Sequence, residues 1–274
     1  RGSFPGQSEW RDPVPTCQTR GMAVRARHVW MILAGLGVAV LVAGGIWLFA
    51  FRDRARPINE EALSLTVVTG AGAPGDPGVY TYTTTGREAT DALAGSEHVY
   101  PAETYLTIQP GGCGNLVRWQ PLEERYEEWE ICSDGTLTGF VSFHEWFRVA
   151  NTDVWDCPEA APLQGEPGQT WSSECTRVSS QEAGEGSRTV SYEAVGFETL
   201  VVGDEEVETL HVRASTLESG GTEGYRTSEM WFLPGTDLLV RWIEDASVVT
   251  QSRIGAVAYT EQFEVILESL RPGS

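Results

Sequence analysis

The sequence predicts an all-β extracytoplasmic domain preceded by one transmembrane α-helix. Three observations lead to this fold class: an uncharged apolar run at residues 29–51, a two-residue alternation of side chains from residue 79 onward, and four cysteines within the alternating part. The β domain is expected over residues 79–272, as an antiparallel curved sheet that forms either a half-barrel or a sandwich.

The apolar run at residues 29–51 is long enough to cross a membrane. A helix rises about 1.5 Å per residue, so this run would span roughly 34 Å. Trp30 and Trp47 lie near its ends, as interfacial aromatic residues often do. We expect residues 25–51 to form an uncleaved signal-anchor. A cleavable signal peptide is the alternative, because Ala43 and Gly45 resemble a cleavage site, but its apolar core should cover only about 7–15 residues.

The segments on either side of this helix carry no sign of a fold of their own. Residues 1–24 are predicted to be a disordered tail. Residues 1–21 are alternatively a stretch upstream of the true start codon, because Met22 precedes a short basic region. Residues 52–78 are expected to hold a short juxtamembrane helix and then a Gly/Pro linker. Asn59 would be the N-cap of that helix, with Glu60 and Glu61 in its first turn.

Charge is distributed unevenly along the chain. Residues 1–56 hold eight arginines and three acidic residues, a net charge of +5, whereas residues 57–274 hold eleven arginines and thirty-six acidic residues, a net charge of −25. So acidic a domain repels nucleic acid and anionic lipid head groups. We therefore expect no nucleic-acid partner, and contact with the membrane through the one helix.

The pattern from residue 79 onward is typical of β-strands. In GVYTYTTTG, at residues 78–86, β-branched and aromatic residues alternate, and similar runs recur as far as AVAYTEQFEVIL at residues 256–267. Turn-forming segments such as PGG, SDG, ESGGTEG and PGTD separate the runs. No helical pattern of ten or more residues appears in this part of the sequence.

Four cysteines indicate the compartment. Cys113, Cys132, Cys157 and Cys175 form an even set, with spacings of nineteen and eighteen positions in its two sequential pairs. Disulfides persist outside the cytosol, so we expect the N-terminus inside and the β domain outside, although the positive-inside count does not favour this orientation. Sequence allows three pairings, of which the sequential one is preferred. Zinc sites need closer pairs, and Cys17 would lie unpaired on the cytosolic side.

The segment from Cys113 to Cys132 is predicted to be a β-hairpin, with an acidic helix through LEERYEEWE as the alternative. A turn centred between Leu122 and Glu123 pairs positions whose numbers sum to 245. Opposed residues lie close enough for a disulfide, an ion pair and an aromatic contact. This register places opposite each other Cys113 and Cys132, Leu116 and Trp129, Arg118 and Glu127, and Trp119 and Tyr126.

The sequence contains no recognisable catalytic motif. HEWFR at His144 lacks the second histidine of HExxH, and no G-x-S-x-G, P-loop or GxGxxG occurs. We expect no catalytic residue, no cofactor and no metal, and interpret His98 and His211 as ordinary cross-strand or surface residues. A solvated acidic face is preferred over a cation site for one glutamate cluster: Glu123, Glu124, Glu127, Glu128 and Glu130.

Tryptophans offer the only candidate binding residues. Most should belong to the core, because each buries a large apolar area. A ligand groove between the curved sheet and its loops is the alternative. The residues proposed for it are Trp119, Trp129, Trp146 and Trp231.

Two resemblances add to this interpretation. The segments GVYTYTTTGREATDAL, HVYPAETYLTI, GCGNLVRW, EEWEIC and FHEWF resemble uncharacterised membrane-anchored proteins of high-GC Gram-positive bacteria, a group without an assigned activity. VGFETLVVGDEEVETLHVRAST and GYRTSEMWFLPGTDLLVR resemble the C-terminal half of envelope β-proteins of the DUF3108/LolA-like kind, over about fifty residues. That resemblance implies a curved antiparallel sheet, and some of those proteins shelter lipid. Trp231, Pro234, Gly235, Leu239 and Val240 match their pattern, and Asp237-Leu238 disrupts its second glycine.

The preferred function is that of an uncharacterised membrane-anchored cell-envelope protein whose outer domain binds a partner protein or an apolar, lipid-like ligand without catalysis. An envelope sensor or signalling accessory is the alternative, although the cytosolic part is too short for an effector domain. A hydrolase or metal-dependent enzyme would need a concave site that gathers His144 or several glutamates.

We expect the native protein to contain two disulfides, because its β domain should fold in an oxidising compartment. Peptide mapping under non-reducing conditions measures this. Four free thiols would contradict both the disulfides and the orientation.

Overall fold

The computed structural model describes residues 37–38, 40–42, 53–64, 72–93, 95–180, 185–252 and 255–273. Two units make up the chain, Arg1–Arg52 and Asp53–Ser274. The described residues of the first unit are helical. The predicted tail at residues 1–24 lies outside the described residues, as does most of the predicted membrane helix at residues 25–51. Within the described ranges, no helix is both long enough and apolar enough to span a membrane.

The described part of the second unit consists of one short helix and thirteen strands. The helix α1 (Glu60–Ser64) begins where the Glu61 N–H donates to Asn59 Oδ1 at 2.9 Å. The strands are β1 (Gly78–Thr90), β2 (Ser96–Val99), β3 (Glu103–Pro110), β4 (Gly114–Leu122), β5 (Arg125–Cys132), β6 (Thr136–Trp146), β7 (Val149–Pro162), β8 (Thr170–Ser179), β9 (Gly186–Val202), β10 (Glu205–Gly220), β11 (Thr222–Phe232), β12 (Leu239–Ser252) and β13 (Gly255–Leu267).

These strands form one closed antiparallel barrel. From β3 to β13 each strand pairs with the next along the chain, and β1 pairs with both β3 and β13. β2 pairs with the last residues of β1, on the same edge as β3 and in the same register, so β2 and β3 together occupy one position in the ring. Twelve such positions close the barrel. The prediction of an all-β antiparallel domain is therefore confirmed. The half-barrel and the sandwich are wrong, because the first and last strands of the ring join.

Aromatic side chains fill one half of the barrel interior. Alternation along the strands points Trp119, Trp242 and Phe263 inward, and their ring centroids lie 4.4 to 5.3 Å apart. Tyr82, at the same end, donates a hydrogen bond to the Leu239 carbonyl. We call the end near Gly78, where β1 begins, the core end, and the end near Thr90, where β1 finishes, the cavity end.

The hairpin of β4 and β5 is confirmed, but its register differs by one residue from the prediction. Its turn lies at Glu123–Glu124, because Leu122 pairs with Arg125. A bulge lies just before this turn, between Trp119 and Leu122. A shift of one residue changes which side chains face each other. Arg118 therefore pairs with Glu128 rather than Glu127, with 2.7 Å between Nη2 and Oε2. Trp119 lies opposite Glu127, Val117 opposite Trp129, and Gly114 opposite Cys132.

The prediction of a solvated acidic face is wrong for two of its five glutamates. Glu127 faces the barrel interior and is buried. Glu124 is also buried, and its Oε1 lies 2.6 Å from Arg56 Nε. Within the described residues, no group of three or more His, Cys, Asp or Glu side chains is arranged to hold a metal ion.

Both sequential disulfides form. Cys113 and Cys132 join the two strands of the β4–β5 hairpin near the core end, with 4.6 Å between their Cα atoms. Cys157 and Cys175 join β7 to β8, with 4.2 Å between their Cα atoms. The second pair extends the ladder that ends with Asp156 opposite Thr176.

Replacing Gly86 should weaken the seam between β1 and β13. A Cβ atom at this position would lie 2.4 Å from Phe263 Cβ and 2.6 Å from the Gln262 carbonyl oxygen, so the two strands would have to separate. We expect Gly86→Ala to lower the free energy of unfolding in urea by about 2 kcal/mol or more. Thr85→Ala, on the exposed face of the same strand, should change it by less than about 0.5 kcal/mol. Equal stability of the two variants would contradict the close approach at this seam.

Candidate functional site

A layer of ion pairs lies in the barrel interior between the aromatic core and the cavity end. Arg125 is fully buried, and its Nη2 lies 2.6 Å from Glu127 Oε1 and 3.0 Å from Glu261 Oε2. Arg226 Nη1 lies 3.0 Å from Glu244 Oε1. The alternation of side chains along the strands turns all five of these residues inward. Removing one partner would leave a buried charge unpaired, which is strongly destabilising.

The layer keeps its arginines charged and raises the pKa of one of its glutamates to near neutral pH. Burial lowers the pKa of Arg125 and of Arg226, but the carboxylates around them raise both pKa values well above the ordinary one. Burial raises the pKa of Glu244 to about 7, since the effect of Arg226 is opposed by Glu127 and Glu261. Glu244 is therefore the group of this layer that titrates near neutral pH.

Two histidines hold Glu88 at the edge of this layer. Its Oε1 lies 2.9 Å from His98 Nδ1 and its Oε2 lies 3.1 Å from His144 Nδ1, and the Tyr259 hydroxyl donates to Oε2 at 2.9 Å. Burial raises the pKa of Glu88, but the hydrogen bonds with His144 and His98 together have the larger, opposite effect and lower the pKa to about 2. His98 is the cross-strand neighbour of Glu88, yet it is buried rather than at the surface. Its Nε2 lies 2.9 Å from Asp53 Oδ2.

A cavity of about 370 Å³ opens beyond this layer, at the cavity end. Its wall is largely apolar, and includes Trp146, Phe147, Val149, Val248 and Val257. The hairpins β6–β7, β10–β11 and β12–β13 contribute lining residues because their turns meet at this end. A space of this size, with apolar walls around a few polar groups, has the properties of a small-molecule site.

The β6–β7 turn at the rim of the cavity has an uncommon backbone. Phe147 and Arg148 adopt φ values of 53° and 65°, a left-handed conformation that non-glycine residues seldom take. Positive φ at both central residues is the requirement of a type I′ hairpin turn, so the chain holds a bulky aromatic residue there at a cost in backbone strain. The Phe147 N–H donates to Asp53 Oδ1 at 2.8 Å, which links this turn to the start of the second unit.

The base of the cavity contains buried polar atoms that have no hydrogen-bond partner among the residues that the structure describes. Arg177, Arg188, Asp153 and Trp155 all line the space. The unpartnered atoms among them are Arg177 Nε, Arg177 Nη2, Arg188 Nε, Trp155 Nε1 and Asp153 Oδ1. Buried polar groups in folded proteins are nearly always hydrogen-bonded, so this concentration of exceptions makes the base of the cavity a candidate position for the polar group of a ligand.

The structure does not bring the four proposed groove tryptophans together. Trp119 is fully buried in the core, and Trp129 is half-buried with its ring centroid 5.2 Å from that of Trp242. Trp231 belongs to a different cluster, stacked on His211 with 4.3 Å between ring centroids. Trp146 lines the cavity, where it stacks on His98 at 3.9 Å. Of the four, Trp146 lies at the cavity, and the other three lie elsewhere in the barrel.

The residues at the base of the cavity are absent from the residues predicted from the sequence, although the sequence carries a signal for them. Cys157 and Cys175 are opposed, so counting back two positions places Trp155 opposite Arg177, as the structure does. Asp153, two residues further along β7, faces the same way because side chains alternate. The predicted pairing of Cys157 with Cys175 thus fixes which residues of β7 and β8 lie opposite each other at the base of the cavity.

A larger but shallower depression, of about 540 Å³, lies on another part of the barrel. Its lining includes Trp171, Ser172, Ser191 and Arg213. The Trp171 indole nitrogen is its one buried atom without a partner among the described residues. The cavity at the barrel end is the stronger candidate, because its unpartnered atoms are grouped and its walls enclose them.

No protein-family model matches the chain, and no curated protein matches it. Neither of the two resemblances drawn from the sequence is therefore confirmed. Among solved structures, the chain is similar to a hypothetical lipoprotein, YmcC, from Escherichia coli (K12), with 11% identity and a TM-score of 0.35 over 72% of this chain and 89% of that chain. So low a TM-score supports no conclusion about this chain.

Glu244→Gln should remove one component of the pH dependence of stability. The pKa of Glu244, about 7 in the folded state against an ordinary 4.5, means that the folded state binds this proton more tightly than the unfolded state. The stabilising contribution is complete below about pH 4.5 and is lost as the pH rises to about 7. Relative to the variant, the wild type should lose on the order of 3 kcal/mol across that range.

The measurement is urea unfolding of wild type and variant at a series of pH values. Glu223→Gln, at an exposed position on β11, is the matched control and should follow the wild-type curve. A Glu244→Gln curve parallel to that of the wild type would contradict the raised pKa.

Proposed function

We propose that the barrel is a non-catalytic binding domain that holds a small apolar or lipid-like molecule in the cavity at its end. The observation that carries this proposal is the grouping of unpartnered buried polar atoms at the base of an apolar-walled space. Its volume of about 370 Å³ lies within the range of about 300–1,000 Å³ that small-molecule pockets occupy. The non-catalytic part of the proposal rests on the sequence, which lacks the motifs of nucleophilic and metal-dependent hydrolysis.

The proposed setting is the outer side of the cell membrane. Two pairs of cysteines at bonding distance support an oxidising compartment. The apolar run at residues 29–51 supports a single helical tether, with the N-terminus in the cytoplasm and the barrel in the cell envelope. Peptide mapping under non-reducing conditions, as described above, tests the compartment independently of any ligand.

A sensor function is the second candidate, and one contact favours it. Asp53 begins the barrel unit, and its carboxylate accepts the Phe147 N–H at the rim of the cavity while it pairs with His98. A ligand that moved the β6–β7 turn would break or strengthen these contacts. Occupancy of the cavity would thus alter the chain at the position where the barrel begins.

Filling the cavity should abolish ligand binding without unfolding the barrel. Val257 is half-buried in the cavity wall, so a tryptophan at this position would project into the space. We expect purified wild-type protein, stripped of bound lipid, to enhance the fluorescence of the neutral probe N-phenylnaphthylamine, and Val257→Trp to lose at least about 90% of this enhancement.

Val201→Trp is the matched control, because it makes the same substitution at an exposed position near the opposite end of the barrel. It should bind the probe as the wild type does, and circular dichroism should show that both variants are folded. Absence of probe binding by the wild type, or equal binding by Val257→Trp, would overturn the proposed function.

A further inference from the structure

We infer that the ligand of this cavity carries a single carboxylate, which binds the Nε–Nη2 edge of Arg177 with Arg188 beside it. This inference rests on the proposed function and specifies the chemistry of the ligand. The molecule is an amphipathic acid of the fatty-acid kind, with its apolar chain toward the rim and its head group at the base.

Arg177 is held in place by one hydrogen bond, and two of its nitrogens form none with the described residues. Only 5% of its surface is exposed, and its Nη1 donates to Thr222 Oγ1 at 2.7 Å. Among the described residues, its Nε and Nη2 have no hydrogen-bond partner. These two nitrogens lie on one edge of the guanidinium, the arrangement that binds both oxygens of a carboxylate through parallel hydrogen bonds. The side chain is therefore oriented by one nitrogen and offers the other two.

A glycine keeps this edge of Arg177 open. Gly186 on β9 is the cross-strand neighbour of Arg177. A Cβ atom at Gly186 would lie 3.0 Å from Arg177 Nε and 3.1 Å from Nη2. Any larger residue at this position would thus occupy the space next to the two unpartnered nitrogens. The absence of a side chain at Gly186 leaves room for the oxygens of a ligand.

The charges around the cavity leave one positive charge incompletely neutralised. Arg188 Nη2 lies 2.6 Å from Glu218 Oε1, and Arg226 Nε lies 3.2 Å from the same oxygen. Among the described residues, the one carboxylate within 4 Å of Arg177 is that of Asp153, with 3.7 Å between Nη1 and Oδ2, which is too long for a hydrogen bond. A ligand with one negative charge complements this arrangement, whereas a cationic ligand would meet an additional repulsive charge.

The unpartnered atoms also favour an acid over an amine. Arg188 and Arg177 both lie near the Trp155 ring, with their guanidinium carbons 4.2 and 5.5 Å from its centroid. Among the described residues of the cavity, four unpartnered nitrogens are donors and one unpartnered oxygen, on Asp153, is an acceptor. The missing partner must therefore supply mainly acceptors, which a carboxylate does and an amine does not.

The test compares ligands with the same chain and different head groups. Dodecanoate and dodecanol are titrated by calorimetry into delipidated full-length protein at neutral pH. Because a hydrogen-bonded buried charge strengthens binding, dodecanoate should bind about 10- to 100-fold more tightly than dodecanol. Equal affinities would overturn the inference and leave the proposed function standing. Absence of binding by both would overturn both.

Two variants separate the head group from the chain. Arg177→Gln removes the charge and Gly186→Ala covers the edge while the charge remains. Each should weaken dodecanoate binding about 10-fold or more and leave dodecanol binding unchanged. Arg213→Gln, which removes an exposed arginine of the outer wall, should change neither. If both cavity variants retain the wild-type preference for dodecanoate, the assignment to Arg177 is wrong. Should Arg177→Gln fail to fold, Gly186→Ala decides, because it keeps every ion pair.

Discussion

Closure of a twelve-strand sheet is the constraint from which the interior of this protein follows. The diameter of a barrel grows with its number of strands, and about eight strands already enclose a space that ordinary side chains fill. Once β1 joins β13, the side chains that alternate inward must fill a wider space. The rings of Trp119, Trp242 and Phe263 fill this space at one end, and long arginine–glutamate pairs fill it further along. The remaining space is the cavity.

The ion-pair layer divides the interior into two regions with different chemistry. Taking these charges out of water is costly, and such pairs seldom stabilise a fold more than apolar side chains of the same volume would. What they provide is a polar boundary to the cavity. Arg125 and Arg226 are fully matched by carboxylates, so they offer little to a ligand. Arg177 lies beyond this matched group, and it faces the open space.

Much of the fold could be predicted from local sequence, because strands and paired cysteines leave local signals. Alternation identified the strands, and the sequential pairing, preferred among the three possible for four cysteines, is the one that forms. The predicted register of the β4–β5 hairpin was wrong by one residue, because the chain forms a bulge between Trp119 and Leu122, where Pro121 has no N–H to donate to the ladder. Closure was missed for a similar reason, since β1 and β13 are far apart in sequence. The burial of His98 and Glu127 followed from closure, and the site at Arg177 required the register of β7 and β8.

The Cys157–Cys175 disulfide lies where the wall of the barrel is least secured by hydrogen bonds. The ladder between β7 and β8 extends only from Asp153 opposite Ser179 to Asp156 opposite Thr176, and the sulfur bridge continues it. Trp155 and Arg177 face each other within this short ladder. A cell that kept these thiols reduced would leave the wall held by a few backbone contacts at the very place where the ligand's acid group would bind. The shape of the pocket therefore depends on an oxidising compartment as well as on the side chains that line it.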